Sequence, residues 1–390
     1  MPIALFVLLV GAAAVFYILI GYPAALAMFF ARLAPAVTKD LHHEPAVSLI
    51  MAVYNGAPHV RAKMETILAL DYPKHLLEII IVSDGSTDAT ESIVREYSSH
   101  GVHLLVLPHS GKAAALNRAL ERASGEILFF TDVRQPLDRM ALRHLAANFA
   151  DPTVGAVTGE LRLLKSEDGE QADMDLYWRY ELWARRRHSA IDSIFNTTGC
   201  IYAMRRKLAG PLPPDTLSDD AALPLRAFFL GYRVIFDPEA IAFDYSAVPG
   251  TEFRRRFRNL AGLCQVFVRF PRLFTSSNRM RFHFLSHKFA RLVLPWVLLL
   301  VLGATLALQA WSLLESEVAL LVLALIDRFI PQGFPLKRLS SPARTFLLMN
   351  AASIAAPVVF LTPPGRLWVP TRVTPNDDKL SVSDHNRTSP

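Results

Sequence analysis

Residues 3–31 contain no charged side chain. As a helix, a run of that length crosses a hydrocarbon core of about 30 Å with some tilt to spare, so whatever follows folds tethered to a bilayer. A cleavable signal peptide opens on basic residues and ends at a small-residue site; here no Lys or Arg precedes Arg32. The run reads as an uncleaved anchor over 1–34. Its first flanking cations, Arg32 and Lys39, put the N-terminus outside and the next segment in the cytoplasm by the positive-inside rule, the expectation for a multi-pass protein of the inner (plasma) membrane. A hydrophobic content of 52% is too high for an ordinary soluble enzyme. The net charge of +6 comes from basic residues beside apolar segments, which suits an anionic lipid surface and not a nucleic acid. Cys200 and Cys264 are too few for a disulfide framework and read as two buried thiols. The sequons at Asn196 and Asn386 carry no meaning on a cytoplasmic face.

A catalytic domain is expected over 46–250: from Val47 to about Ala150 the chain alternates two kinds of segment, and Asp151–Pro249 is mixed. "VSLIMAVY", "EIIIVSD", "HLLVLP" and "EILFFTD" are nearly unbroken apolar runs, as in strands buried on both faces of a parallel sheet. Between them, "HVRAKMETILAL", "ATESIVREY" and "KAAALNRALERA" carry helical spacing or strong helix formers. The expectation is a doubly wound α/β unit, whose ligands bind beyond the carboxyl ends of the strands. Those ends carry Tyr54 and Asn55, Asp84, the turn leading to Lys112, and Asp132. Further on, Glu252–Phe274 spaces Phe253, Phe257, Leu260, Leu263 and Phe267 along one face against a cluster of arginines. That pattern fits interface helices over 251–290, lying on the membrane or packed on the catalytic domain. Transmembrane segments are expected over 291–362: Leu292–Trp311, a short return over Val318–Ile330, and Thr345–Leu361, which crosses or re-enters. The polar tail at 371–390 is expected to be disordered.

Three constellations suggest chemistry. In "SDGSTDAT", Gly85 turns the strand into a helix capped by Ser86, Thr87 and Asp88, which leaves Asp84 to accept the imide N–H of a uracil. Lys112 opens a helix after "HSGK", where the helix dipole disfavours a cation; a diphosphate gives it a reason to be there. Asp219 and Asp220 in "TLSDDAALPL" are either first-turn acids of a helix or a pair in which one carboxylate, its pKa raised by the other, serves as general base for an attacking hydroxyl.

In that order and spacing, "VSLIMAVYN", "EIIIVSDGSTDAT", "GKAAALNRAL", "ILFFTD" and "SDD" resemble the membrane-anchored family 2 glycosyltransferases, relatives of cellulose, chitin and hyaluronan synthases, over roughly 47–265. The resemblance implies a GT-A fold with a Rossmann-like, mainly parallel sheet, flanked by N- and C-terminal transmembrane helices. It also implies a UDP-sugar donor, inversion at the anomeric carbon and a divalent metal, Mg²⁺ or Mn²⁺. It assigns Tyr54, Asn55 and Asp84 to the nucleoside, Lys112 to the diphosphate, Asp132 to the metal, Asp220 with Asp219 and Arg258 to catalysis, and the segment of Gly199 and Cys200 to the acceptor. The partners implied are the UDP-sugar, a membrane lipid or polysaccharide acceptor, the bilayer, and other polysaccharide-assembly proteins.

Two departures qualify this. The family's DxD stands here as Asp132, Val133, Arg134, so one carboxylate with substrate oxygens and water is left for the metal. Arg134 either clamps the leaving diphosphate or forms an ion pair on the sheet edge. The QxxRW signature of processive synthases stands as Arg255 to Asn259: Arg258 is kept, and Asn259 replaces the aromatic platform for an acceptor sugar. The sequence therefore leads to a transferase adding one sugar to a lipid-linked or exopolysaccharide acceptor, with a processive synthase and a non-catalytic subunit of an export complex as alternatives.

Overall fold

The computed structural model describes residues 1–29, 36–163, 171–244, 252–331 and 333–362. Arg32, Pro35, Asn386 and the tail at 371–390 lie outside them. Seven strands form one sheet: β1 (Val47–Val53), β2 (Leu77–Asp84), β3 (Val102–Leu107), β4 (Ile127–Phe130), β5 (Val154–Leu163), β6 (Tyr202–Arg205) and β7 (Arg233–Asp244), in the order β3-β2-β1-β4-β6-β5-β7. Strands β1 to β4 are parallel, β6 runs antiparallel between β4 and β5, and β7 runs parallel to β5. This is the mainly parallel α/β sheet of the GT-A kind.

The apolar runs are buried on both faces because successive side chains point to opposite sides. Ile50, Ile80 and Val82 face a layer holding Leu116, Ala119 and Phe228. Their neighbours Leu49, Met51 and Ile81 face Val60, Met64 and Ile67 of the helix Ala57–Leu68. Each such side chain, fully buried, contributes about 1.5–3 kcal/mol. The connections run outward from β1 in opposite directions, to β2 on one side and through β4 on the other, so a crevice opens where β1 and β4 end.

Among the described residues three helices are long and apolar enough to cross a membrane: Pro2–Met28, Arg281–Ala307 and Lys337–Phe360. The second and third begin earlier than the hydropathy of the sequence suggests, because charged first turns are continuous with the apolar parts. The return expected at Val318–Ile330 is the helix Trp311–Ile326, whose 16 residues extend about 24 Å at 1.5 Å per residue, short of a hydrocarbon core of about 30 Å. It ends at Asp327, which is fully buried and accepts Lys337 Nζ at 3.1 Å and Ser340 Oγ at 2.6 Å. The acid that interrupts the apolar run thus staples it to the next helix.

The amphipathic segment is a helix over Glu252–Arg269, stopped before Pro271 opens a 3₁₀ turn. It is held to the domain through Gln265, which accepts the Leu217 N–H at 3.0 Å and donates to the Asp215 carbonyl at 2.8 Å, while Phe253 and Val268 stay exposed; packing on the domain and lying at an interface are compatible. The N-terminal helix is tied down along its length, with the Tyr17 and Ser286 hydroxyls 2.7 Å apart. A Cβ on Gly11 would stand 2.5 Å from Val301 Cγ2, so the first two spanning candidates approach closely there. Tyr22, fully buried, shares hydrogen bonds with His188 Nε2 at 2.7 Å and His283 Nδ1 at 3.0 Å.

Candidate active site

At the β1 tip, Asn55 adopts a left-handed backbone (φ 49°), which Asn tolerates better than most residues. Its Oδ1 accepts the Thr87 N–H at 2.8 Å and its own N–H donates to Ser86 Oγ at 3.1 Å. The expected nucleoside residue therefore laces β1 to the turn after β2. Beside it, Tyr54 lies against the His109 ring, 4.4 Å between centroids.

Asp84, at the end of β2, is buried, and its carboxylate accepts the N–H groups of Ser110 at 2.7 Å and Gly111 at 2.9 Å and meets His109 Nδ1 at 3.0 Å. It shapes the turn that delivers Lys112. Gly111 takes φ +92°, open to glycine at little cost, and the helix Lys112–Arg122 follows at once. From that first position the ammonium reaches Asp132 Oδ1 at 3.1 Å and Asp219 Oδ1 at 3.2 Å. Its pKa is pushed above the ordinary range: burial lowers it, and Asp132, Asp219 and Asp220 more than compensate.

Asp219 and Asp220 start the helix Asp219–Phe229. Asp219 turns inward, 6% exposed, towards Lys112 and the Tyr202 hydroxyl. Asp220 turns to the cleft: its Oδ2 lies 3.6 Å, and Asp132 Oδ2 3.8 Å, from where a Cβ on Gly199 would stand. The loop before Gly199 is held to it, since the Thr197 N–H and hydroxyl both donate to the Asp220 carbonyl. Burial and the neighbouring Asp219 push the Asp220 carboxyl up to about 7, with Lys112 and Arg185 opposing. Asp132 goes the other way. Burial raises it, but Lys112, Arg134 and Lys63 hold it below the usual carboxylate range.

Arg134 and Arg258 are both close enough to Asp132 for their charges to act on one another. Arg258 comes from the helix Glu252–Arg269, so the remnant of the QxxRW pattern does reach the cleft. Among the described residues neither guanidinium takes part in an ion pair, and the edge pairing considered for Arg134 is absent. Two cations without a salt bridge, beside an acid and a lysine, form a place for a polyanion. Cys200 does not line the cleft: its thiol is packed with Phe129 and Ile201, and its carbonyl accepts the Thr131 hydroxyl.

The residues present fit a divalent metal of the one-carboxylate kind. Among the described residues no three His, Cys, Asp or Glu converge into a cage. Asp132 keeps Oδ2 directed at the cleft, an oxygen donor suited to Mg²⁺ or Mn²⁺, ions that retain waters and take phosphate oxygens.

Lys63 escaped the sequence reading. It is buried beneath the loop of Asp132, donating to Thr131 Oγ1 at 2.7 Å and to the Gln135 carbonyl. The signal was present, since Lys63 falls on the stripe of Val60, Met64 and Ile67, where a lysine needs a polar partner inside the fold. His109, inside the quoted "HSGK", also escaped.

Residues 48–210 match the family model described as Glycosyl transferase family 2. A probable glycosyltransferase of Bacillus subtilis, YdaM, is 27% identical over 278 residues, covering 66% of this chain and 64% of the relative. The poly-beta-1,6-N-acetyl-D-glucosamine synthase of Staphylococcus aureus is 26% identical over 267 residues, covering 66% and 63%. The matched part is less than two thirds of the length of either curated relative. The mannosyltransferase PcManGT of Pyrobaculum calidifontis, solved with GDP-Man and Mn²⁺, superposes with a TM-score of 0.72 at 26% identity, over 92% of this chain and 98% of that one. With the sheet order, the cleft and these matches together, residues 48–210 are a glycosyl transferase family 2 domain on a GT-A fold, followed and preceded by helices apolar enough to cross a bilayer.

Proposed function

We propose that this chain is an inverting glycosyltransferase that moves one sugar from a UDP-sugar to a lipid-linked or exopolysaccharide acceptor at the cytoplasmic face of the inner membrane. On this reading 1–34 anchors the chain, 46–250 is the catalytic domain, 251–290 sits at the interface and 291–362 returns to the membrane. The observation that carries the proposal is the Asp220 carboxylate, set against Gly199 beside Asp132 and raised to about 7. A base poised near neutrality is suited to taking a hydroxyl proton.

In the proposed reaction the acceptor hydroxyl gives its proton to Asp220 as its oxygen bonds to the sugar C1. The C1–O bond to the diphosphate breaks on the opposite side, which inverts the anomeric centre. The charge left on the diphosphate faces Lys112, Arg134 and Arg258, fixed cations that stabilise it as it develops. Asp132 would hold the divalent metal, which supplies further positive charge to the same group when bound. Asn55 and Asp84 support the donor site by holding the loops that form it.

One relative is a polymer synthase, which favours a processive second reading; Asn259 in place of an aromatic weighs against it. Purified full-length chain, incubated with a panel of nucleotide sugars, Mg²⁺ or Mn²⁺ and a native lipid extract, tests the proposal by mass analysis of products. A single added sugar supports it, a ladder supports the synthase, and no product from any donor with a folded protein overturns both in favour of a non-catalytic role.

A further inference from the structure

A cavity of about 330 Å³ lies away from the cleft, at the junction of all three spanning candidates with the domain. This is within the range of about 300–1,000 Å³ typical of small-molecule sites. Most of its wall is apolar: Ile18, Leu292 and Met349 from the spanning helices and Leu263 from the helix Glu252–Arg269. One side is strongly charged. Lys288 and Arg291 line it, and both turn to Glu181, at 2.8 Å and 3.2 Å. Arg185 meets the same carboxylate at 3.6 Å. Three cations therefore face one buried acid, which leaves two positive charges in excess with the neighbouring His287 counted as neutral. Burying uncompensated charge is costly, and an anion is what would offset it. His287, 1% exposed, also lines the cavity and leaves its Nδ1 without a hydrogen-bond partner among the described residues.

We infer that this cavity is a binding site for the phosphate head group of a membrane lipid, with Lys288 and Arg291 as its charged ligands and the apolar wall taking the first carbons of the chain. The inference rests on the reading of the three helices as membrane spans. Charge selects the phosphate over a neutral glycan, and the wall selects a lipid over free phosphate. The site also touches the chemistry. Arg185, on the far side of Glu181, donates to Thr198 Oγ1 at 2.7 Å, next to Thr197, whose N–H and hydroxyl grip the Asp220 carbonyl. A head group drawing on Lys288 and Arg291 thus sits one carboxylate and one guanidinium away from the loop that faces the base.

Binding is measured apart from transfer, so that each proposal stands or falls alone. The full chain, purified in a neutral detergent, is titrated by native mass spectrometry and thermal unfolding with dioleoyl phosphatidic acid, phosphatidylglycerol, an isoprenoid monophosphate, dioleoylglycerol and inorganic phosphate. The expected result is saturable binding and a raised unfolding midpoint with the phosphate-bearing lipids, and neither with dioleoylglycerol or inorganic phosphate. Preference for the isoprenoid over the glycerolipids, or the reverse, identifies the source. Lys288→Gln leaves Glu181 paired with two arginines, and is expected to weaken binding about tenfold to a hundredfold, the worth of a hydrogen bond to a charged group. Met349→Trp, which narrows the cavity without altering charge, is expected to do the same with the unligated midpoint retained. Equal response to dioleoylglycerol, or undiminished binding in both variants, overturns the inference even if sugar transfer is intact.

Discussion

Asp220 and Glu181 are two carboxylates withdrawn from water in one molecule, and burial raises the pKa of both. Yet Asp220 rises to about 7, while Glu181 is held well below the ordinary carboxylate range. What separates them is the local surplus of charge. Around Asp220, the acids Asp219 and Asp132 add to burial and outweigh the cations Lys112 and Arg185. Around Glu181, Lys288, Arg291 and Arg185 converge on a single acid. Desolvation sets the stakes, and the sign of the neighbours sets the outcome. The first arrangement suits moving a proton; the second suits holding charge still.

The sharpest test of this contrast is Asp220→Asn, which keeps the shape and removes the base. Sugar transfer by the purified chain is expected to fall by about 10²–10⁴-fold, the contribution of general-base catalysis, with the unfolding midpoint unchanged; activity near wild type would end the assignment. The mirror experiment is Glu181→Gln. It leaves Lys288, Arg291 and Arg185 without their acid, and is expected to destabilise the chain by about 3–5 kcal/mol, as for breaking a buried ion pair. Denaturant unfolding in detergent checks this, and a loss under about 1 kcal/mol, the size of a surface pair, would show the cluster to be solvated.

Smaller effects refine the picture. Arg134→Gln is expected to raise the donor KM by about tenfold or more, since a charge-assisted contact is worth about 1.5–3 kcal/mol. Steady-state kinetics with and without EDTA then separate its role from that of the metal: full loss of activity with EDTA shows that Arg134 does not replace the ion. The base must be ionised to act, so kcat/KM is expected to rise with pH through about 7. Asp219 is among the groups raising Asp220, so in Asp219→Asn the rising limb moves to lower pH; a limb moved upward would contradict the electrostatics. The mildest change is Gly199→Ala. Its methyl group would meet Asp220 and Asp132 at 3.6–3.8 Å, ordinary contact, so a folded protein with a raised acceptor KM and a nearly unchanged donor KM is expected.

The strands and the polar residues at their tips were legible because unbroken apolar runs and strand-end placement are local properties written in short stretches. The partnerships between them were not. Asn55 and Asp84 look like ligand residues in sequence, and both are engaged in backbone hydrogen bonds from loops that lie far along the chain. Asp327 looks like damage to a spanning segment until Lys337 and Ser340 are brought to it. The Glu181 cluster was invisible for the same reason, since Lys288 and Arg291 read as flanking cations and only the packing of two distant helices gives them a shared acid. The expectation for Cys200 failed on direction: its neighbour Gly199 faces the cleft, and the next side chain along points into the core.

Burial pushes the Lys63 amine down to about 7, yet its hydrogen bonds to Thr131 and to the Gln135 carbonyl need only N–H groups, which the neutral and the charged forms both have. The position of the segment bearing Asp132 is consequently held from behind in either protonation state, although the charge that Lys63 lends Asp132 is not. Arg134 projects from that same held segment and Arg258 from the helix Glu252–Arg269, and among the described residues neither is held by a salt bridge, so variation of the proposed donor site starts at positions 134 and 258 and leaves position 63 alone.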